Sequence, residues 1–102
     1  MKTISKLKKE LDKWFSLYIR LRNASKDGIV KCFTCDKTGH YKKGFHAGHF
    51  MSRKHHATRW NEDNVQVQCV KCNLFGQGEQ YVFGKLLDIR IGDGKSEELQ
   101  EL

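Results

Sequence analysis

A chain of 102 residues forms one domain whose core buries only about two-thirds of the unfolded surface, so a cross-link is expected. Its formal charge of +7, pI near 9.4 and mean hydropathy of -0.68 favour a polyanionic partner, and no apolar run approaches the ~20 residues of a membrane span. The N-terminus has no apolar h-region and no small-residue cleavage site, so no export signal is expected and the cysteines are expected to stay reduced.

Residues 3–25 read as an amphipathic helix, with Ile4, Leu7, Leu11, Trp14, Phe15, Tyr18 and Leu21 at helical spacing. Lys6, Lys8, Lys9, Lys13, Arg20 and Arg22 occupy the other face. Thr3 or Ser5 suits the start and Gly28 the stop. The expectation is a helix laid on the core by its apolar face, with a basic back compatible with DNA phosphates.

A core region follows over 29–78. Residues 29–33 form a short β-like run, and a polar connection passes through Gly39 and Gly44. Residues 45–50 read as a second strand, 53–64 as a basic loop, and 65–69 as a strand of period two. A short helix is predicted from about Cys69 or Val70 to Gly76–Gly78. The remaining 80–102 read as helical segments: one from Gln80 to Ile91, stopped at Gly92, and a frayed acidic turn from Ser96. Trp14 and Trp60 read as core residues.

Cys32-x-x-Cys35 and Cys69-x-x-Cys72 use every cysteine in the chain and are separated by 33 residues. Two thiolates at i and i+3 share one tetrahedral ion, and a second pair completes a Cys₄ zinc site. Such a closed site leaves no position open to substrate, so this zinc is structural. Zinc also draws the intervening strand, with His46 and His49, towards the helix carrying Asn73. An imidazole and a hard-oxygen ligand for Mg²⁺ or Mn²⁺ are the two parts phosphodiester hydrolysis needs.

On these residues the sequence resembles the zinc-stapled HNH, or ββα-metal, nucleases. More narrowly it is similar to the NinG (Rap) recombination endonucleases of lambdoid phages. The residues that carry the resemblance are Cys32-x-x-Cys35, Ala47-Gly48-His49-Phe50, Arg59-Trp60-Asn61-Glu62-x-Asn64, Gln68-Cys69-Val70-x-Cys72-Asn73, Gly78 and Leu87-x-x-Arg90-Ile91-Gly92. The resemblance implies His49 as general base, Asn64 as the residue bracing the loop against the His-bearing strand, and Asn73 as the catalytic-metal ligand. His46 stands where that family carries Asp, either as a neutral second ligand for Mg²⁺ or Mn²⁺ or to orient a water held by the ion.

The expected fold is α+β: a long N-terminal helix, a ββα-metal core with Cys₄ zinc, and C-terminal helical segments. The expected function is a divalent-metal-dependent DNA endonuclease, with Arg53, Lys54 and Arg59 on the DNA backbone. The resemblance implies branched recombination intermediates as substrate, in the cytoplasm of a phage-infected bacterium. The rival readings are a non-catalytic zinc-containing DNA-binding module and a phage–host adaptor docking through the apolar face of residues 4–21. Oligomeric state stays open.

Overall fold

The computed structural model describes residues 3–102; Met1 and Lys2, where the reading of the N-terminus begins, lie outside them. The first helix, α1, runs over Ile4–Leu21. Thr3 is its N-cap, with the side-chain oxygen accepting from the Lys6 N–H at 3.2 Å. The helix ends before the expected residue 25 because Ser25 forms a turn instead. Its N–H donates to the Ile29 carbonyl, its hydroxyl accepts from the Ile29 N–H, and Gly28 takes the left-handed φ of +79° that closes the turn.

The packing of α1 corrects the expectation from periodicity. Ile4, Leu7, Leu11, Trp14, Tyr18 and Leu21 are all exposed, Trp14 at 60%. Ile19, outside the expected stripe, is the buried residue, and Phe15 is half-buried. The helix therefore docks on the β-structure by its C-terminal half, and its apolar stripe faces away from the core.

Two antiparallel pairs follow. Strand β1 (Ile29–Lys31) pairs with β2 (Thr38–His40), Val30 opposite Gly39. The three-residue β2 lies in the stretch expected to be a connection, because Thr-Gly-His carries no alternating apolar signal. Strand β3 (Phe45–His49) pairs with β4 (Val65–Cys69), placing Phe45 opposite Cys69 and His49 opposite Val65. Every residue of β4 is buried. Between β3 and β4, a one-turn helix α2 (His56–Arg59) forms within the expected loop.

After β4 comes a π-helical turn, Lys71–Phe75, in place of the expected short α-helix. Gly76 N–H donates to the Lys71 carbonyl, and Gly78 N–H closes back on Cys72. Gln77, Gly78 and Glu79 then all take positive φ, +53°, +84° and +49°. This costs about 1–2 kcal/mol for each non-glycine residue, and it reverses the chain into α3 (Gln80–Ile91).

The C-terminal segment is a formed helix, α4 (Lys95–Glu101), and not a frayed turn. Asp88 of α3 accepts from the Ser96 N–H at 2.8 Å and its hydroxyl at 3.1 Å, and Leu99 is buried. Two apolar clusters result. Val30, Phe45 and Val67 surround the cysteines, while Phe50, Phe83, Leu87 and Leu99 pack beyond them. The β3–β4 pair joins the two, with Phe45 in one and Phe50, just past β3, in the other. No helix among the described residues is long and apolar enough to cross a membrane.

Candidate metal centre and adjoining cleft

The four cysteines converge. Their sulfurs all lie within 4.8 Å of one another, and Cys35 Sγ is 3.7 Å from Cys69 Sγ. Four thiolates around one zinc at about 2.3 Å sit about 3.8 Å apart, so the donor set and spacing fit that ion. The first pair sits on the loop between β1 and β2, and the second at the end of β4 and on the π-helical turn. Backbone bonds hold them together: Phe33 N–H donates to the Val67 carbonyl, and Val70 N–H to that of Gly44, each near 3 Å. Burial pushes the Cys72 thiol up to about 12 and raises Cys35 as well. A cation at the centre would offset that burial and favour the thiolate form of these two cysteines. Four cysteines are positioned to hold a metal ion, consistent with structural zinc.

A buried glutamine links this centre to the cleft beside it. Gln68 Nε2 donates to Thr34 Oγ1 and to the Gly78 carbonyl, both at 2.9 Å. Its Oε1 has no hydrogen-bond partner and lies against Gly48, where an added Cβ would come within 1.8 Å. Any side chain at position 48 would force the buried Gln68 side chain to move, which favours the small residue before His49.

The cleft, of about 950 Å³, has His46, His49 and Asn73 in its lining, with Asp12 and Phe15 of α1 on one side. His49 Nε2 lies 2.9 Å from the Arg59 carbonyl oxygen. A carbonyl only accepts, so Nε2 carries the proton and Nδ1 the lone pair. Burial lowers the pKa of His49 below its ordinary value, against the opposing effect of that hydrogen bond. Burial thus favours the neutral imidazole over the charged ring.

Asn64 is fully buried. Its Oδ1 accepts from the Met51 N–H at 2.8 Å, and its Nδ2 donates to the carbonyls of Met51 and Thr58, each at 3.0 Å. The residue ties the chain after β3 to α2. Asn73, on the π-helical turn, has Nδ2 3.0 Å from His46 Nδ1. With the amide donating, Nδ1 of His46 accepts and the His46 proton sits on Nε2.

The basic residues of the loop divide. Arg53 lines the cleft rim with a side chain 64% exposed, and Lys54 is exposed. Arg59 turns inward, 17% exposed, and pairs with Asp12 through Nε at 3.1 Å and Nη2 at 2.5 Å. Trp60 Nε1 donates to the same carboxylate at 3.0 Å. Of the two tryptophans expected in the core, Trp60 is half-buried and Trp14 exposed. Sequence reasoning missed Asp12, because an acidic residue in a lysine-rich helix reads as surface charge. His55, read from the sequence as part of a basic loop facing DNA, lines the cleft.

No curated protein and no solved structure matches the chain. The family model described as Bacteriophage Lambda NinG protein matches residues 1–101. With that match spanning nearly the whole chain, the protein belongs to the phage NinG family.

Proposed function

We propose that this chain is a divalent-metal-dependent DNA endonuclease of HNH type, acting on branched recombination intermediates in the cytoplasm of the infected host. The observation that carries the reading is the convergence of His49 and the His46–Asn73 pair on one cleft beside the cysteine centre. Their order along the chain, strand His49, loop Asn64 and turn Asn73, is that of a ββα-metal site, with a π-helical turn in the place of the helix.

His49, neutral and fixed through Nε2, takes a proton from water at Nδ1 as that water attacks phosphorus in line. Asn64 keeps the loop, and with it the Arg59 carbonyl, in register with β3. Asn73 Oδ1 would hold Mg²⁺ or Mn²⁺, which when bound stabilises charge on the phosphate and the departing 3′ oxygen. These donors fit a weakly held ion. Asp12, the carboxylate in the cleft lining, is engaged by Arg59 and Trp60, so an ion at Asn73 would need substrate phosphate oxygens as further ligands. His46, protonated at Nε2, orients solvent beside Asn73. Arg53 and Lys54 contact phosphates at the rim, and Arg59 holds the loop.

The test is cleavage of matched linear, forked, D-loop and four-way-junction DNA by the zinc-loaded chain with Mg²⁺ and with Mn²⁺. Metal-dependent cutting, strongest on branched substrates, is expected. Tight binding with no cutting of any substrate would leave a non-catalytic DNA-binding module. A partner pull-down that survives high salt and nuclease, again without cutting, would leave an adaptor.

A further inference from the structure

We infer that Asp12 is a positioning residue for His49, acting from α1 through Arg59. Its kinetic consequence rests on the proposed nuclease activity; its geometry does not.

One carboxylate gathers the loop that faces the cleft. Arg59 grips Asp12 with two guanidinium nitrogens, Trp60 adds its indole N–H, and Arg53 Nη1 stands 3.8 Å away. Arg59 Nη1 also donates to the Arg53 carbonyl at 3.3 Å, spanning the loop. A two-point guanidinium–carboxylate contact fixes orientation as well as distance. The Arg59 hydrogen bonds outweigh burial and hold the Asp12 carboxyl below its ordinary range, so the pair stays charged at neutral pH.

The backbone of the same arginine orients the imidazole. Arg59 ends α2, a helix of four residues whose N-cap His55 makes no side-chain cap bond. A helix that short does not hold itself in water, and its last carbonyls have no partner within the helix. The Arg59 carbonyl meets His49 Nε2 at 2.9 Å. The position of that carbonyl is therefore set from outside α2, by Asn64 at Thr58 and by Asp12 at the Arg59 side chain. Asn64 fixes the interior of the turn; Asp12 fixes its last residue. This also explains why an arginine in a loop facing a polyanion has its guanidinium turned inward.

The experiment uses the full zinc-loaded chain and the isosteric variant Asp12→Asn, with Arg59→Lys as a second way of cutting the two-point contact. In ¹⁵N-histidine spectra, wild-type His49 is expected as a single Nε2–H tautomer. Both variants are expected to show mixed tautomers at His49 with zinc content unchanged. In single-turnover cleavage at saturating DNA, Asp12→Asn is expected to slow the reaction by about ten- to a hundredfold, the scale of a mispositioned catalytic group. In a His49→Ala background it should add no further loss. An unchanged His49 tautomer in both variants overturns the inference. So does an equal loss in the His49→Ala background, or a defect that Mn²⁺ titrates away, which would make Asp12 a metal ligand. If the wild type cuts nothing, the nuclease reading fails, and the spectra alone decide the Asp12 role.

Discussion

The carbonyl oxygen of Arg59 lies 2.9 Å from Nε2 of His49, so the imidazole of β3 is anchored by the last residue of a four-residue helix ten positions further along the chain. That hydrogen bond fixes the tautomer, and burial lowers the pKa of the ring. The two effects together favour a neutral imidazole protonated at Nε2 at neutral pH.

The lowered pKa has a consequence for pH dependence. A histidine ordinarily titrates near 6.5, and in the folded chain His49 does so at lower pH. The unfolded state therefore binds the proton more readily, and the His49 contribution to stability is present above about 6.5 and is lost as pH falls below it. The acid limb of cleavage should likewise lie below 6.5, and the His49 ring should titrate at the same point by NMR. A His49 titration above 6.5 would contradict the burial argument.

The cysteine centre carries much of the fold. Cys69 is buried, its sulfur 3.7 Å from that of Cys35, in the same cluster as Phe45 and Val67. Structural zinc contributes apparent values of about 10–16 kcal/mol in small zinc-finger peptides. Cys69→Ser is expected to release the ion and unfold the β3–β4 region, seen as loss of zinc by elemental analysis and loss of near-ultraviolet dichroism. A folded, zinc-free wild type would remove the staple from the account.

The cysteine centre was legible in the sequence, and what the sequence did not show has physical causes. Paired Cys-x-x-Cys spacing marks the metal centre because thiolates have few other reasons to recur that way. Period-two alternation gave β4 its bounds of 65–69, and turn glycines gave α3 its end. The stripe on α1 misled because helical spacing shows that a face is apolar, not that something covers it. Ile19, the residue that does dock, falls outside the regular stripe. The π-helical turn is set by bonds from Gly76 and Gly78 back to Lys71 and Cys72, which no propensity encodes. The link between Asp12 and Arg59 joins residues 47 apart, beyond the reach of any local pattern. α4 formed where fraying was expected because Asp88 and the pocket for Leu99 lie outside it in the chain.

Binding and cutting should separate at the cleft rim. Arg53 lines that rim and its neighbour Lys54 is exposed, whereas Arg59 is committed to Asp12. Changing Arg53 and Lys54 together to Ala should weaken DNA binding about equally across sequences. It should also reduce the salt slope by about 2, one for each phosphate the protein no longer neutralises. Fluorescence anisotropy against salt concentration measures both. A weakening confined to particular sequences would show base reading instead.

The central claim is that His49 is the base and Asn73 the ligand of one hydrolytic site, and single-turnover cleavage by His49→Ala and Asn73→Ala over a range of Mg²⁺ and Mn²⁺ tests it most directly. A positioned general base contributes about 10²–10⁴-fold in rate. His49→Ala should therefore fold, keep its zinc and bind DNA, yet cut slower by that factor at every metal concentration. Asn73→Ala should also cut slowly, but its defect should shrink as the metal is raised, because a weakened ion site responds to mass action. Cleavage by His49→Ala at the wild-type rate across that range would contradict the account.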